Sequence, residues 1–199
     1  MIYIIIRYTL FPLIWLVLHP IVHRRKHLFF KGKGIIISNH LSLLDPVLVA
    51  LITPRPVHFM AKSELFKTKI GNAFFRAFLA FPVQRKSADL SSLKNALKLL
   101  DEKKVFGIFP EGKRSLTGEM GKFEKGASLL ALKSKAPVIP VYIHPKFHRL
   151  FPKMYVGEPI NTEKLIENVP KSQQLDTLHA AIEGAVKALE LEARSKKCK

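Results

Sequence analysis

The sequence predicts an α/β protein in which helices cover a mainly parallel or mixed sheet, with an apolar helical segment at the N-terminus. Short β-branched runs alternate with longer stretches of helical periodicity, an alternation typical of layered α/β folds. Of the 199 residues, 48% are hydrophobic, which is enough to bury a core. Residues 2–22 are mostly apolar and precede the first predicted strand.

Each predicted element has a local signal in the sequence. Residues 34–38, which read GIIIS, are β-branched and begin with glycine, so we expect them to form a buried strand. Leucines at 90, 93, 97 and 100 recur at spacings of three and four residues, the stripe of an amphipathic helix. Further strands are predicted at 57–61, 81–84, 105–109 and 138–143, and further helices at 46–53, 71–80, 124–133 and 175–189.

The N-terminal apolar segment is just long enough to cross a bilayer, since a span needs about 20 apolar residues. Arg7, Pro12, His19 and Pro20 interrupt it, and both prolines lack the N–H that a regular helix uses. We therefore expect this segment to dip into one leaflet or to lie in the membrane interface, rather than to span the bilayer. The alternative interpretation is a buried N-terminal helix of the core.

The charge of the chain indicates an anionic partner. Lysine and arginine together number 33, and aspartate and glutamate 15, giving a formal net charge of +18. Such a charge suits nucleic acid, an anionic membrane surface or phosphorylated small molecules. Residues 23–26 are basic and follow the apolar run, which predicts that the rest of the chain stays on the cytoplasmic side. Residues 1–30 are thus expected to associate with a membrane, and residues 31–199 to form one globular domain.

A polar cluster that follows the first predicted strand is a candidate catalytic site. His40 and Asp45 are five residues apart, and on a strand-to-helix turn the two side chains can meet. Histidine suits a general base, and a carboxylate on its second ring nitrogen orients the imidazole. The alternatives are that Asp45 caps a helix that Pro46 begins, and that His40 is a buried histidine bonded to backbone. Ser42 lies outside any G-x-S-x-G elbow, so we assign it a capping or hydrogen-bonding role.

A basic turn after the strand at 105–109 is a candidate phosphate site. Lys113 and Arg114 follow that strand, and Arg85 follows the extended run at 81–84. Arginine offers a planar fork that matches phosphate oxygens, and lysine a point charge. The alternative interpretation is that these residues are solvated surface charges.

Four segments in order resemble the glycerophospholipid acyltransferase family, and are most similar to its bacterial 1-acylglycerol-3-phosphate (lysophosphatidic acid) acyltransferases. The first matches the family's N-H-x-x-x-x-D (HX4D) block and the third its F-P-E-G-T-R-S block, with Lys113 where the family usually has threonine. The resemblance covers about residues 30–160 and implies the family's α/β fold. The four segments are residues 39–45, 81–85, 109–115 and 138–141.

The resemblance implies a catalytic role for two residues. His40 would take the proton from a glycerol hydroxyl as that hydroxyl attacks an acyl thioester, and Asp45 would orient the ring. Transfer from thioester to ester needs a base and positioning, but neither metal nor ATP. A covalent acyl-enzyme is not required, because Cys198, the single cysteine, is near the chain end and Ser42 lacks an elbow. The rate should fall on acidification, because a protonated His40 cannot accept a proton.

The resemblance also implies which residues bind substrate. Arg85 and Arg114 would hold the phosphate of the acceptor, and Lys113 would add charge. Glu111 and Gly112 are counted among the substrate-binding residues. Both would shape the turn, or Glu111 would hydrogen-bond the glycerol of the acceptor, and the sequence does not separate these two roles.

The implied reaction uses acyl-CoA or acyl carrier protein as the acyl donor and converts lysophosphatidic acid to phosphatidic acid, with no cofactor. Anionic membrane is the expected partner surface, at the cytoplasmic face of the inner or plasma membrane, and nucleic acid is not expected. An acyltransferase that uses glycerol-3-phosphate or another lysophospholipid is the alternative within the family. The alternative outside it is a basic nucleic-acid-binding protein, which the charge alone permits.

Overall fold

The computed structural model describes residues 2–83, 90–115, 117–145 and 151–195, and they form one sheet with helices on both faces. The sheet has seven strands, five of which run in one direction. The predicted α/β class is therefore confirmed, with a mostly parallel sheet. The strands are β1 (Ile21–His23), β2 (Gly34–Ser38), β3 (Val57–Lys62), β4 (Ala80–Val83), β5 (Val105–Ile108), β6 (Val138–Ile143) and β7 (Lys153–Val156).

The strand order is β1-β7-β6-β2-β5-β3-β4, so β2 lies in the interior of the sheet between β6 and β5. Strands β2 to β6 are mutually parallel, whereas β7 runs antiparallel to β6 and β1 runs parallel to β7. The carboxyl ends of five strands therefore meet at one edge of the sheet. In open parallel sheets this edge is where binding and catalytic residues collect.

Alternate residues of β2 serve two hydrophobic cores, one on each face of the sheet. Ile36 points into the core beneath α1, α2 and α3, and Ile35 and Ile37 into the core beneath α4, α5 and α7. All three isoleucines are at most 1% exposed, as expected for a strand covered on both faces. The helices are α1 (Ile2–Leu18), α2 (Asp45–Ile52), α3 (Lys69–Ala77), α4 (Leu90–Asp101), α5 (Gly126–Ser134), α6 (Thr162–Ile166) and α7 (Gln174–Ser195).

Most predicted elements are present. β2 and β6 have the predicted bounds, and α3 begins two residues before the predicted helix and ends before Ala80, which begins β4. The sequence analysis missed β1, β7 and the short α6. β1 has three residues, and the first two are the end of a longer apolar run, so no local pattern separates the strand from the preceding helix.

The N-terminal apolar segment forms α1, which packs against the domain through one side. Arg7 donates a hydrogen bond from Nη2 to the carbonyl oxygen of Thr53 at 2.8 Å, and Phe11 stacks on Phe78 at 6.4 Å between ring centroids. In the part of the chain that the structure describes, no helix has the length and hydropathy to cross a membrane. β1, from residues 21–23, joins the same sheet, and the division at residue 30 stays a prediction.

Candidate active site

Two of the motif segments lie side by side at the carboxyl edge of the sheet. β2 and β5 are neighbouring strands with Ile37 paired to Ile108, so the turns that follow them are adjacent. Residues 39–45 occupy the first turn and residues 109–115 the second. A hydrogen bond from the Ser115 N–H to the His40 carbonyl oxygen, 2.8 Å long, joins the two turns.

The predicted pairing of His40 with Asp45 is present. Nδ1 of the His40 ring lies 2.8 Å from Oδ2 of Asp45, whose side chain is fully buried. The same carboxylate oxygen accepts the backbone N–H groups of Leu41 at 2.5 Å and Ser42 at 2.7 Å. These donors bend the chain back on itself, which is why residues five apart can touch. Asp45 begins α2 but its side chain faces the histidine, and the Ser42 hydroxyl accepts the Leu44 N–H at 2.9 Å.

The imidazole of His40 is held in place and still reaches solvent. Its ring stacks on Phe109 at 4.3 Å between centroids, and the side chain is 15% exposed. The preceding Asn39 is buried, and its side-chain amide exchanges two hydrogen bonds with the backbone of Ile143, of 2.9 and 2.7 Å. With Nδ1 taken by Asp45, Nε2 is the ring nitrogen left to accept a proton.

His40 lines a cavity of about 230 Å³, which we call the His40 cavity. Its walls are largely apolar and come from the carboxyl ends of β3, β4 and β5 and from the start of α5. They include Met60, Val83, Ile108 and Ala127. An imidazole therefore lies at a mostly apolar cavity, a combination that suits a substrate with a polar end and a hydrocarbon end.

Glu111 and Gly112 both lie beside His40. Glu111 is 7% exposed, and its carboxylate accepts the N–H of His40 at 3.0 Å and the N–H of Gly121 at 3.0 Å. Gly112 lines the His40 cavity and has a positive φ of 65°, a conformation that other residues rarely adopt. Its N–H donates to the Phe109 carbonyl oxygen at 3.2 Å, which closes the turn.

Lys113 and Arg114 are exposed and line a second cavity of about 600 Å³, which we call the Arg114 cavity. Glu124 lines both cavities and Glu111 lines the second one, so the two cavities are neighbours. Both cations therefore line the neighbouring cavity and not the His40 cavity itself. Arg85, the third predicted phosphate ligand, lies outside the described residues.

Lys62 ends β3 and lines the His40 cavity, and it was not predicted from the sequence. Its ammonium nitrogen lies 3.1 Å from a carboxylate oxygen of Glu64. The pKa of the Glu64 carboxyl is lowered. The largest cause is a hydrogen bond from the backbone N–H of Glu64, and the next is the Lys62 ammonium. The sequence did contain a signal for Lys62, because it directly follows the strand predicted at 57–61. Parallel strands end at the same edge of a sheet, so a cation at that point is expected near the site.

The geometry defines a class of protein: an enzyme whose histidine, oriented by a carboxylate, can take a proton from a hydroxyl beside a cationic surface. A family model described as Acyltransferase matches residues 19–144. The chain therefore belongs to the acyltransferase family. Its predicted resemblance to the glycerophospholipid acyltransferases is confirmed by the proteins to which it is similar.

Two of the similar proteins are bacterial enzymes named 1-acyl-sn-glycerol-3-phosphate acyltransferase. The one from Bacillus subtilis (strain 168) is 32% identical over 176 residues, which cover 85% of this chain and 87% of that protein. The one from Borreliella burgdorferi is 31% identical over 117 residues, covering 57% of this chain and 46% of that protein. The crystal structure of the 1-acyl-sn-glycerophosphate (LPA) acyltransferase PlsC from Thermotoga maritima shares the fold, with a TM-score of 0.65 at 22% identity over 86% of this chain and 73% of that one.

Proposed function

We propose that this protein transfers a fatty acyl group from an acyl thioester to the free hydroxyl of 1-acylglycerol-3-phosphate, giving phosphatidic acid. The observation that carries the proposal is the 2.8 Å contact between Asp45 Oδ2 and Nδ1 of His40, a residue that lines the His40 cavity. The similar proteins named 1-acyl-sn-glycerol-3-phosphate acyltransferase support this choice of acceptor.

In the proposed reaction, Nε2 of His40 accepts the proton of the acceptor hydroxyl as its oxygen attacks the thioester carbonyl carbon. The new C–O bond forms, the C–S bond breaks, and the leaving thiolate takes the proton from the imidazolium. Asp45 holds the ring in the tautomer with hydrogen on Nδ1 and stabilises the imidazolium while it exists. The balance is one thioester and one alcohol converted to one ester and one thiol, with either acyl-CoA or acyl carrier protein as donor.

Cations around the two cavities are the proposed ligands of the acceptor phosphate. Lys113 and Arg114 line the Arg114 cavity, and Lys62 adds a cation at the His40 cavity. Gly112 lines the His40 cavity, and a Cβ at that position would meet nothing within 4 Å, so the turn is open there. Arg85 is retained as a further ligand on the family resemblance. An arginine fork and lysine point charges together suit a phosphomonoester.

The outer side of α1 is proposed to lie on an anionic membrane at its cytoplasmic face. Leu13, Leu16 and Val17 are 60–71% exposed there, whereas Tyr3 and Phe11 on the inner side are buried. Leu43 and Leu44, in the turn between His40 and Asp45, are 64% and 50% exposed. Apolar side chains are therefore exposed both on α1 and in the turn that carries His40, and a basic protein gains further affinity from anionic headgroups.

The proposal is tested by an acyl-transfer assay with the purified protein. Lysophosphatidic acid and glycerol-3-phosphate are compared as acceptors, each with an acyl-CoA and with an acyl carrier protein donor. We expect transfer to lysophosphatidic acid, and we expect His40→Ala to abolish it. His58→Ala should leave transfer unchanged, because His58 lies near the amino end of β3, away from the carboxyl end that lines the His40 cavity.

Other outcomes point to specific corrections. Transfer to glycerol-3-phosphate alone would replace the acceptor, and turnover retained in a folded His40→Ala protein would remove His40 from the mechanism. Salt-sensitive binding to duplex DNA without transfer or lipid binding would favour the nucleic-acid alternative.

A further inference from the structure

The carboxylate of Glu111 is bonded on both oxygens to backbone N–H groups that belong to two different segments. Oε1 accepts the His40 N–H and Oε2 the Gly121 N–H, each at 3.0 Å, and the residue is 7% exposed. A buried carboxylate is costly unless its oxygens are hydrogen-bonded, so this arrangement specifies where both segments lie. Resting on the proposed function, we infer that Glu111 is a positioning residue, which holds the main chain of His40 against the loop at 117–125, rather than a ligand of the acceptor glycerol.

The main chain of His40 matters because the ring contacts alone do not fix the base relative to the phosphate site. Asp45 and Phe109 set the orientation of the imidazole. Glu111 and the Ser115 N–H instead tie the His40 peptide to the turn that carries Lys113 and Arg114.

The nitrogen of a general base must lie within about 3 Å of the oxygen whose proton it takes. A misplacement of 1 Å can lower the rate by about 10²-fold. Glu111, together with the Ser115 N–H, therefore sets the distance between His40 and the proposed phosphate site. Losing that spacing slows the chemical step, because the hydroxyl of a bound acceptor no longer meets Nε2.

Variants of Glu111 separate positioning from acceptor binding. Glu111→Ala leaves both N–H groups without their acceptor, and Glu111→Gln keeps one amide oxygen to accept one of them. We expect kcat to fall by about 10- to 100-fold in Glu111→Ala and by less in Glu111→Gln, with the acceptor KM within about twofold of wild type. A ligand of the acceptor would instead raise the KM for the acceptor and leave kcat unchanged.

Gly121→Ala disturbs the same carboxylate from an exposed position. A Cβ at Gly121 would lie 3.0 Å from Glu111 Oε2, so the carboxylate has to move. We expect a lower kcat in Gly121→Ala, and no further loss when it is combined with Glu111→Ala, because the added methyl group then displaces nothing. Gly184→Ala is the matched control: a Cβ there meets nothing within 4 Å, and Gly184 lies in α7.

A second readout does not depend on turnover. Amide hydrogen exchange of His40 and Gly121 should be slow in the wild type. It should accelerate for both groups in Glu111→Ala and for one of them in Glu111→Gln, but for neither in Gly184→Ala. Equal exchange in wild type and Glu111→Ala would overturn the inference, and so would a raised acceptor KM with kcat retained, or additive effects of the two substitutions. If Glu111→Ala does not fold, Glu111→Gln and Gly121→Ala carry the same test.

The outcomes keep the two proposals apart. If the wild type does not acylate lysophosphatidic acid, the proposed function fails while the exchange data still decide the role of Glu111. If the wild type is active and His40→Ala is not, a normal kcat in a folded Glu111→Ala protein overturns the positioning role alone.

Discussion

The orientation of the His40 ring depends on the carboxylate of Asp45. Its Oδ2 accepts three N–H groups, from the His40 ring and from the backbone of Leu41 and Ser42. Among the described residues no donor reaches Oδ1, which is buried. All the hydrogen bonds that the described residues donate to the Asp45 carboxylate therefore fall on the oxygen that faces the imidazole.

Replacing Asp45 by asparagine tests that role of the charge. The amide oxygen can still accept the backbone N–H groups, but a neutral side chain no longer stabilises the imidazolium. We expect kcat to fall by about 10²- to 10⁴-fold in Asp45→Asn, measured by steady-state acyl transfer. Asp176→Asn, the same change at an exposed ion pair with Lys125, is the control and should retain full activity. A wild-type kcat in Asp45→Asn would show that the carboxylate does not act through His40.

At the scale of elements, α1 has two different sides, and only the outer one is available to a membrane. Leu16 is 71% exposed on that side, and Leu191 is 68% exposed on α7. We expect Leu16→Glu to weaken binding to anionic vesicles by about tenfold or more, because burying a leucine in lipid contributes about 2 kcal/mol. Co-sedimentation with vesicles measures the change, and Leu191→Glu, which alters charge and hydropathy equally, should bind as the wild type does. Equal loss in both variants would attribute binding to net charge alone.

The strand β3 carries a histidine whose burial links stability to pH. Burial lowers the pKa of His58 from its usual value of 6.5, and the nearby Lys104 lowers it further, partly offset by a hydrogen bond with the Val105 carbonyl oxygen. As the pH falls through that usual value, the unfolded chain takes up the proton first, so protonation favours unfolding.

We therefore expect the free energy of unfolding to fall more between roughly pH 7.5 and pH 5 in the wild type than in His58→Gln. Urea denaturation at each pH measures the difference. His19→Asn is the control, since His19 is exposed. Identical pH profiles for wild type and His58→Gln would show that His58 does not contribute.

At the scale of the whole molecule, the central strand β2 links both cores to the candidate site. Ile36 is 1% exposed and packs into the core beneath α2, and His40 follows four residues later. We expect Ile36→Ala to lower the free energy of unfolding by about 2–5 kcal/mol, the cost of a cavity in a packed core. Urea denaturation measures this, and Ile70→Ala, at a position 85% exposed, should change it by less than about 0.5 kcal/mol. Similar losses at both positions would contradict the assigned burial.

Prediction from sequence succeeded where the signal is local. The β-branched run at 34–38 and the leucine stripe from 90 to 100 gave β2 and α4, because both patterns reflect burial of nearby side chains. It failed for β1 and β7, which are three and four residues long and pair with each other at an edge of the sheet. Such short strands are held by their partners more than by their own residues.

The sequence by itself predicted the pairing of His40 with Asp45, since the two residues lie in one turn and need only local bending to meet. Only the tertiary structure decided what surrounds that pair. Glu111 is 71 residues from His40 and reaches its N–H because β2 and β5 are neighbours, and Lys62 reaches the His40 cavity because β3 lies beside β5. The order of the strands depends on how all the helices and strands bury their apolar faces together. No short stretch of sequence therefore predicts it.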